Sequence, residues 1–301
     1  MWTLMDGLVN HRYLGTHRFE MTPFHWNGEL YLLENFCDYD PASYAKDEYP
    51  EHTARDGFFI RRFSDDAQIG PVVPGCYYAS SIVHQDRLYV FASAFDTRKF
   101  TAGVSFRRII RYTTDDLEHW SGPDEVYVAA PDRMIFNTTT VWDGKRFVGC
   151  FETDETCTAR KYLFRFVESD DLLHFRVILG AEYGREKYVG GQALYFVNGY
   201  YYLFYVHDLN NRCYDTRISR SKDLKIWEDS PIPVVEPDQK HEINPMARPG
   251  IMELNASDLE LIEDQGKTLL FWCGGDQHGC VDMQMAEYPR PLPEYLESFF
   301  A

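Results

Sequence analysis

A β-hairpin unit recurs five times along the chain, and this repeat limits the possible folds more than any other feature. The unit is clearest at residues 134–154, MIFNTTTVWDGKRFVGCFETD. A run rich in Thr, Phe and Val reaches a turn at Asp143-Gly144; a second apolar run returns and ends in Glu152, Thr153 and Asp154. β-Branched and aromatic residues bounded by Asp-Gly signal a hairpin, because glycine accepts the positive φ such a turn needs. Equivalent turns stand at Asn27-Gly28, Gln85-Asp86, Asn198-Gly199 and Gln265-Gly266, and the second turn residues lie 58, 58, 55 and 67 residues apart. Each leads into an apolar strand: LYLLENF, LYVFASAF, RFVGCFE, YYYLFYV and TLLFWCG. A near-constant period with strand-type content describes a propeller or another repeat array.

The unit continues into a third strand: FFIRRFS, RRIIRYTT, YLFRFVES, TRISRS and VDMQMAEY. In three repeats that strand enters a turn of one form, at Thr114 to Trp120, Ser169 to Phe175 and Ser221 to Trp227, with a degenerate copy at Ser64-Asp65-Asp66. The turn aspartates Asp116, Asp171 and Asp223 read as structural caps. A short fourth strand follows, such as IGPVV or IPVVEP. Four antiparallel strands in each of five repeats predict an all-β, five-bladed β-propeller filling residues 1–301 as a single domain. The blades are expected near 18–74, 75–128, 129–180, 181–237 and 238–301. Their inner strands are expected near 19–26, 77–84, 134–142, 190–197 and 254–263. The N-terminal segment is a candidate closing strand, and the tail from Leu292 a short helix or last strand.

Composition narrows the function. The formal charge of −17 disfavours nucleic acid, whose binding draws on clustered Lys and Arg. No apolar run is long enough to span a membrane. Seven cysteines without a C-x-x-C pair or zinc-like spacing are expected to be reduced thiols in a cytoplasmic protein. The N-terminus has no basic segment ahead of an apolar run, as a secretory signal would. No metal-ligand set or cofactor motif is read, and oligomeric state is left open.

In a propeller the start of each inner strand lies beside the end of the second strand, so these positions converge on one channel mouth. Inner-strand starts supply Glu20, Tyr77, Asn137, Gln192, Asn255 and Asp258; second-strand ends supply Glu34, Asp96, Glu152, Asp154, His207, Asp208, Asp276 and His278. Gly190-Gly191 suggests close backbone approach near the axis. A funnel of carboxylates, amides and aromatic faces suits a carbohydrate, with its many hydroxyls and apolar ring face. Glu152, Asp258 and Glu20 are the candidate catalytic groups; Asn137, Tyr77, Gln192, His207, Asn255, Asp276 and His278 are the candidate sugar contacts. Each has a structural alternative, such as an ion pair between Glu20 and Arg18.

With these residues in place, the chain resembles the five-bladed propeller glycoside hydrolases, the group that includes glycoside hydrolase families 43, 32, 62 and 117. The carriers are the S-x-D-L-x-x-W turns, the five-fold repeat and the inner-strand motifs Arg18 to Pro23, Phe136-Asn137-Thr138 and Asn255 to Leu259. The resemblance implies hydrolysis of an oligosaccharide or glycoside, as in polysaccharide degradation. Families 43 and 32 place an Asp base, an Asp modulator and a Glu acid on the first three inner strands. Here the first offers Glu20, the second only tyrosines and serines, and the third Asn137, with Glu152 on the adjacent strand. The triad is not preserved position by position. Glu152, after an apolar run and near Asp154, is read as the general acid, with Asp258 or Glu20 as base. The alternatives are a silent carbohydrate-binding propeller, or a phosphorylase drawing on Arg18, Arg98, Arg160 and Arg212.

Overall fold

The computed structural model describes residues 7–16, 18–38, 53–100, 103–131, 133–154, 162–210, 213–238, 252–276 and 281–301, with backbone alone at 16, 96–100 and 103–105. Blade one comprises β2 (Met21–Trp26), β3 (Glu29–Phe36), β4 (Gly57–Arg62) and β5 (Gln68–Pro74). Blade two comprises β6 (Cys76–His84), β7 (Arg87–Phe100), β8 (Gly103–Thr114) and β9 (Ser121–Val128). Blade three comprises β10 (Ile135–Trp142), β11 (Phe147–Thr153), β12 (Leu163–Ser169) and β13 (Arg176–Tyr183). Blade four comprises β14 (Gly190–Val197), β15 (Tyr200–Asp208), β16 (Tyr214–Ser221) and the short β17 (Glu228–Asp229). Blade five comprises β18 (Asn255–Asp264), β19 (Lys267–Gly275) and β20 (Val281–Tyr288), and its outer strand is β1 (Val9–Thr16), antiparallel to β20. A strand from the start of the chain thus completes the last blade.

The blades hold together through five apolar interfaces, one between each adjacent pair. Phe24, Leu33 and Phe58 meet Leu88 and Val90 between blades one and two. Phe91 and Ile109 meet Phe147 and Phe151 between two and three. Phe164 and Phe166 meet Leu203 and Tyr205 between three and four. Tyr202 and Phe204 meet Leu261 and Trp272 between four and five. Phe271 and Met283 meet Met21 and Leu32 between five and one. Middle strands are covered on both faces, so β11 is buried at every residue and reads as a continuous apolar run. Each fully buried Phe or Leu contributes about 1.5–3 kcal/mol, so the ring rests mainly on these interfaces.

The tail is a helix, α1 (Leu292–Glu297), continued by one 3₁₀ turn; Tyr295, Leu296 and Phe299 bury against the interface of blades four and five. The fourth strand of blade four departs from expectation. IPVVEP forms only an isolated bridge, Val235 to Thr216, and the strand pairing falls on Glu228–Asp229 instead. Pro231, Pro233 and Pro237 have no N–H to offer a ladder.

The turns between third and fourth strands explain the recurrent Asp. Asp223 accepts the N–H groups of Lys225 and Ile226, both at 2.9 Å, and the Ser221 hydroxyl at 3.1 Å. The same pattern recurs at Asp116 and Asp171. Leu117, Leu172 and Leu224 follow in left-handed conformation, buried between blades. Cys37, Cys76, Cys150, Cys213 and Cys273 are free thiols; Cys157 and Cys280 lie outside the described residues.

Candidate active site

Four of the five inner strands break their alternation at the same place. In β6, β10, β14 and β18 the register slips next to a residue in the left-handed region: Tyr78 (φ 53°), Asn137 (φ 51°), Gly191 (φ 52°) and Asp258 (φ 53°). Such a bulge re-aims a side chain, and for a residue other than glycine it costs of order 1–3 kcal/mol. Strain repeated at equivalent positions around an axis marks the site. Tyr78, Asn137, Gly191 and Asp258 all line one cavity of about 420 Å³, together with Glu20 from the entry to blade one and Glu152 from β11.

The cavity has two sides. Tyr78, Phe106, Phe136, Met134 and Tyr162 form an aromatic wall; Tyr78 lies 5.3 Å from Phe106 and 5.5 Å from Phe136, and Phe136 meets Tyr162 edge-on at 5.0 Å. Tyr188 and Tyr214, 5.6 Å apart, stand with Gly190 and Gly191 on the blade-four side. The polar groups are Glu20, Glu152, Asp258, Asn137, Asn255 and Ser257.

Each carboxylate is held differently. The Gly191 N–H donates to Glu152 Oε2 at 3.4 Å. A Cβ on Gly191 would collide with Asp258 Oδ1, so glycine leaves the space that the Asp258 carboxylate fills. Asp258 Oδ2 accepts from the Ser257 hydroxyl at 2.5 Å, which favours its charged form, while burial pushes it the other way and prevails. Glu20 is pushed well above the usual carboxylate range, first by burial and then by the charges of Asp258 and Glu152. Glu20 thus combines burial with two negative neighbours, both of which favour its protonated form.

The other anticipated contacts fall into two sets. Asn137 and Asn255 line the cavity; Asn255 Nδ2 donates to Ser257 Oγ at 2.7 Å and to the Cys273 carbonyl at 3.1 Å. Gln192 lies deeper, in the narrow channel below, and gives its amide to the carbonyls of Asn137 and Cys150. Tyr77 is buried behind the cavity, because the bulge turns its neighbour Tyr78 inward instead. His207 Nδ1 sits 3.0 Å from Asp215 and is absent from the described lining, as is buried Asp276. His278 lies outside the described residues. Glu34 is engaged by Arg18 and Arg61, so Arg18 pairs with Glu34 rather than Glu20. Asp154 accepts the Met134 N–H at 2.7 Å, and Asp208 accepts that of Asn210 at 2.7 Å. The side chains of Asp96, Arg98, Arg160 and Arg212 are outside the described set.

Sequence reasoning missed Tyr188, Tyr214 and Ser257. The available signal was proximity: Tyr188 precedes the Gly190-Gly191 pair, and Ser257 stands between Asn255 and Asp258.

Comparison with solved structures matches this architecture. A mutant of the family 32 β-fructofuranosidase of Bombyx mori, in complex with sucrose, superposes with a TM-score of 0.62 at 11% identity over 90% of this chain and 60% of its own. The family 43 protein BlXynB of Bacillus licheniformis gives 0.62 at 14% identity over 91% and 54%. The fold is that of the five-bladed propeller glycoside hydrolases. An α-L-arabinofuranosidase of Lactobacillus brevis shares it end to end, with a TM-score of 0.60 at 14% identity over 90% of both chains. This chain therefore spans about three-fifths of the first protein and about half of the second. No family model and no curated protein sequence matches it.

Proposed function

We propose that this propeller is a glycoside hydrolase acting on an oligosaccharide or glycoside bound in the cavity that Glu20, Glu152 and Asp258 line. The observation that carries the reading is the convergence of three carboxylates from blades one, three and five on one cavity with an aromatic wall. Glycosidic cleavage needs a protonated carboxyl at the leaving oxygen and a carboxylate that activates water or attacks the anomeric carbon. The aromatic wall offers flat surfaces to a sugar ring, and Asn137 and Asn255 offer amides to its hydroxyls.

In this reading the proton donor is Glu20, where sequence reasoning favoured Glu152. Glu20 is the group that both neighbouring carboxylates push toward its protonated form. Glu152, which accepts a backbone N–H, is the base or nucleophile. Asp258 holds the proton on Glu20 by its charge. A panel of aryl and natural glycosides tests the reading, with Glu20→Gln, Glu152→Gln and Asp258→Asn measured on any substrate found. Each variant should lose roughly two orders of magnitude in turnover or more while staying folded.

A silent binding propeller is the second reading. It is favoured by Tyr78, which brings a phenol rather than a carboxylate from blade two. Sugar binding without cleavage across the panel selects it.

A further inference from the structure

Glu20 and the Tyr78 bulge belong to different blades, yet one buried side chain bonds to the backbone of both. Asn35, near the end of β3, is fully buried. Its N–H and its Nδ2 both donate to the Glu20 carbonyl, at 3.0 Å and 3.1 Å. Nδ2 also donates to the Ala79 carbonyl at 3.2 Å, and Oδ1 accepts the Ala79 N–H at 2.7 Å. Ala79 is part of the bulge. Between the pairs Tyr77–Ser93 and Ser80–Phe91, Tyr78 and Ala79 face the single residue Ala92, so the ladder cannot serve both. The Asn35 amide supplies Ala79 with the donor and the acceptor that the bulge takes away. In blade two, Ser93 likewise reaches the next bulge, its hydroxyl accepting the Asn137 N–H at 3.2 Å. Asn35 adds the hold on Glu20.

We propose that Asn35 is a positioning residue that sets Glu20 and Tyr78 in the cavity together. Glu20 stands one residue ahead of β2, so the bonds from Asn35 to its carbonyl fix the point from which its side chain enters the cavity. Tyr78 is held at a φ of 53°, and a tyrosine keeps that conformation only where its surroundings over-determine it. The two bonds to Ala79 are such a constraint. Both Nδ2 hydrogens and Oδ1 are used, so no shorter or purely acidic side chain reproduces the set. The catalytic consequence rests on the hydrolase reading with Glu20 as donor, while the placement of the two residues stands without it. A proton donor works only within reach of the leaving oxygen, and a misplacement of about 1 Å costs rate steeply.

The test begins without substrate. Crystal structures of the parent and Asn35→Ala should differ at two places. The Tyr78 backbone should leave the left-handed region, and the Glu20 carboxyl should shift by about 1 Å or more. Glu20 and Tyr78 unmoved in the variant overturn the proposal, whether or not any glycoside is cleaved. Asn35→Ser, whose single hydroxyl is a bond shorter than the amide, carries the same test if the alanine variant does not fold. On a cleaved glycoside, Asn35→Ala should lose about tenfold or more in kcat/KM with an unactivated leaving group and less with an activated one, because the misplaced group is the donor. Simple destabilisation does not discriminate between leaving groups, and Asp223→Ala supplies that comparison. Equal losses on both leaving groups, where Glu20→Gln does discriminate, overturn the proposal. If no glycoside is cleaved, or if Glu20→Gln does not discriminate, the hydrolase reading or its donor is what fails, and the two crystal structures decide for or against Asn35.

Discussion

The Asp258 carboxylate occupies the space that a side chain on Gly191 would fill, while the Gly191 N–H points at Glu152 Oε2, 3.4 Å away. One glycine in blade four thus separates and orients two acids from blades five and three. Gly191→Ala meets two obstacles there, a left-handed φ of 52° and the clash with Asp258. The conformation alone costs about 1–2 kcal/mol. The expected result is a stability loss of at least that size in urea, with turnover reduced about tenfold or more. Gly144→Ala, with open space around its Cβ, should leave turnover unchanged.

A second buried acid cluster lies where the ring closes. Asp282 on β20 is fully buried, and neither of its carboxylate oxygens has a hydrogen-bond partner among the described residues. Burial raises it to about 7. Nearby Glu253, also raised to about 7, accepts the Asp238 N–H and the Gln284 amide; Gln284 in turn meets His11 of the closing strand at 2.8 Å. A carboxyl raised on folding binds more protons in the native state, so stability falls as pH rises from about 4 to about 7. Asp282→Asn should flatten this fall and gain on the order of 2 kcal/mol relative to the parent at pH 8. Urea unfolding at pH 5 and pH 8 measures it, and a parallel fall in parent and variant would refute it.

The recurrent turns carry fold, not chemistry. Removing the Asp223 carboxylate strands the N–H groups of Lys225 and Ile226 and loosens the turn that seats buried Leu224. Asp223→Ala should cost about 1–3 kcal/mol in stability and leave turnover per folded molecule unchanged. Unfolding curves and active-site-normalised rates check the two parts separately.

The repeat made the architecture legible because each blade spends the same local chemistry. Asn27-Gly28, Asn198-Gly199 and Gln265-Gly266 put positive φ at the hairpin tips, and the doubly covered second strands leave continuous apolar runs. Inner strands begin within two residues of their expected starts. The convergence of Glu20, Glu152 and Asp258 followed from topology, since strand starts and ends meet at one mouth. Choosing between Tyr77 and Tyr78 did not, because a bulge reverses alternation without any signature in the residues themselves. His207 and Glu34 were equally opaque. Their partners, Asp215 on the adjacent strand and Arg18 and Arg61, become visible only when strands are paired. The upward push on Glu20 comes from burial and from two charges distant in sequence.

The most direct measurement compares one sugar carried on two leaving groups, one that departs unaided and one that needs a proton. Loss of the acid should spare the first substrate and cripple the second, whereas loss of the base or nucleophile should cripple both. Glu20→Gln is expected to retain turnover within about tenfold on the activated glycoside and to lose roughly two orders of magnitude or more on the unactivated one. Glu152→Gln is expected to lose activity on both. Leaving-group selectivity in Glu152→Gln, with Glu20→Gln indifferent to the leaving group, would contradict the assignment of the proton to Glu20.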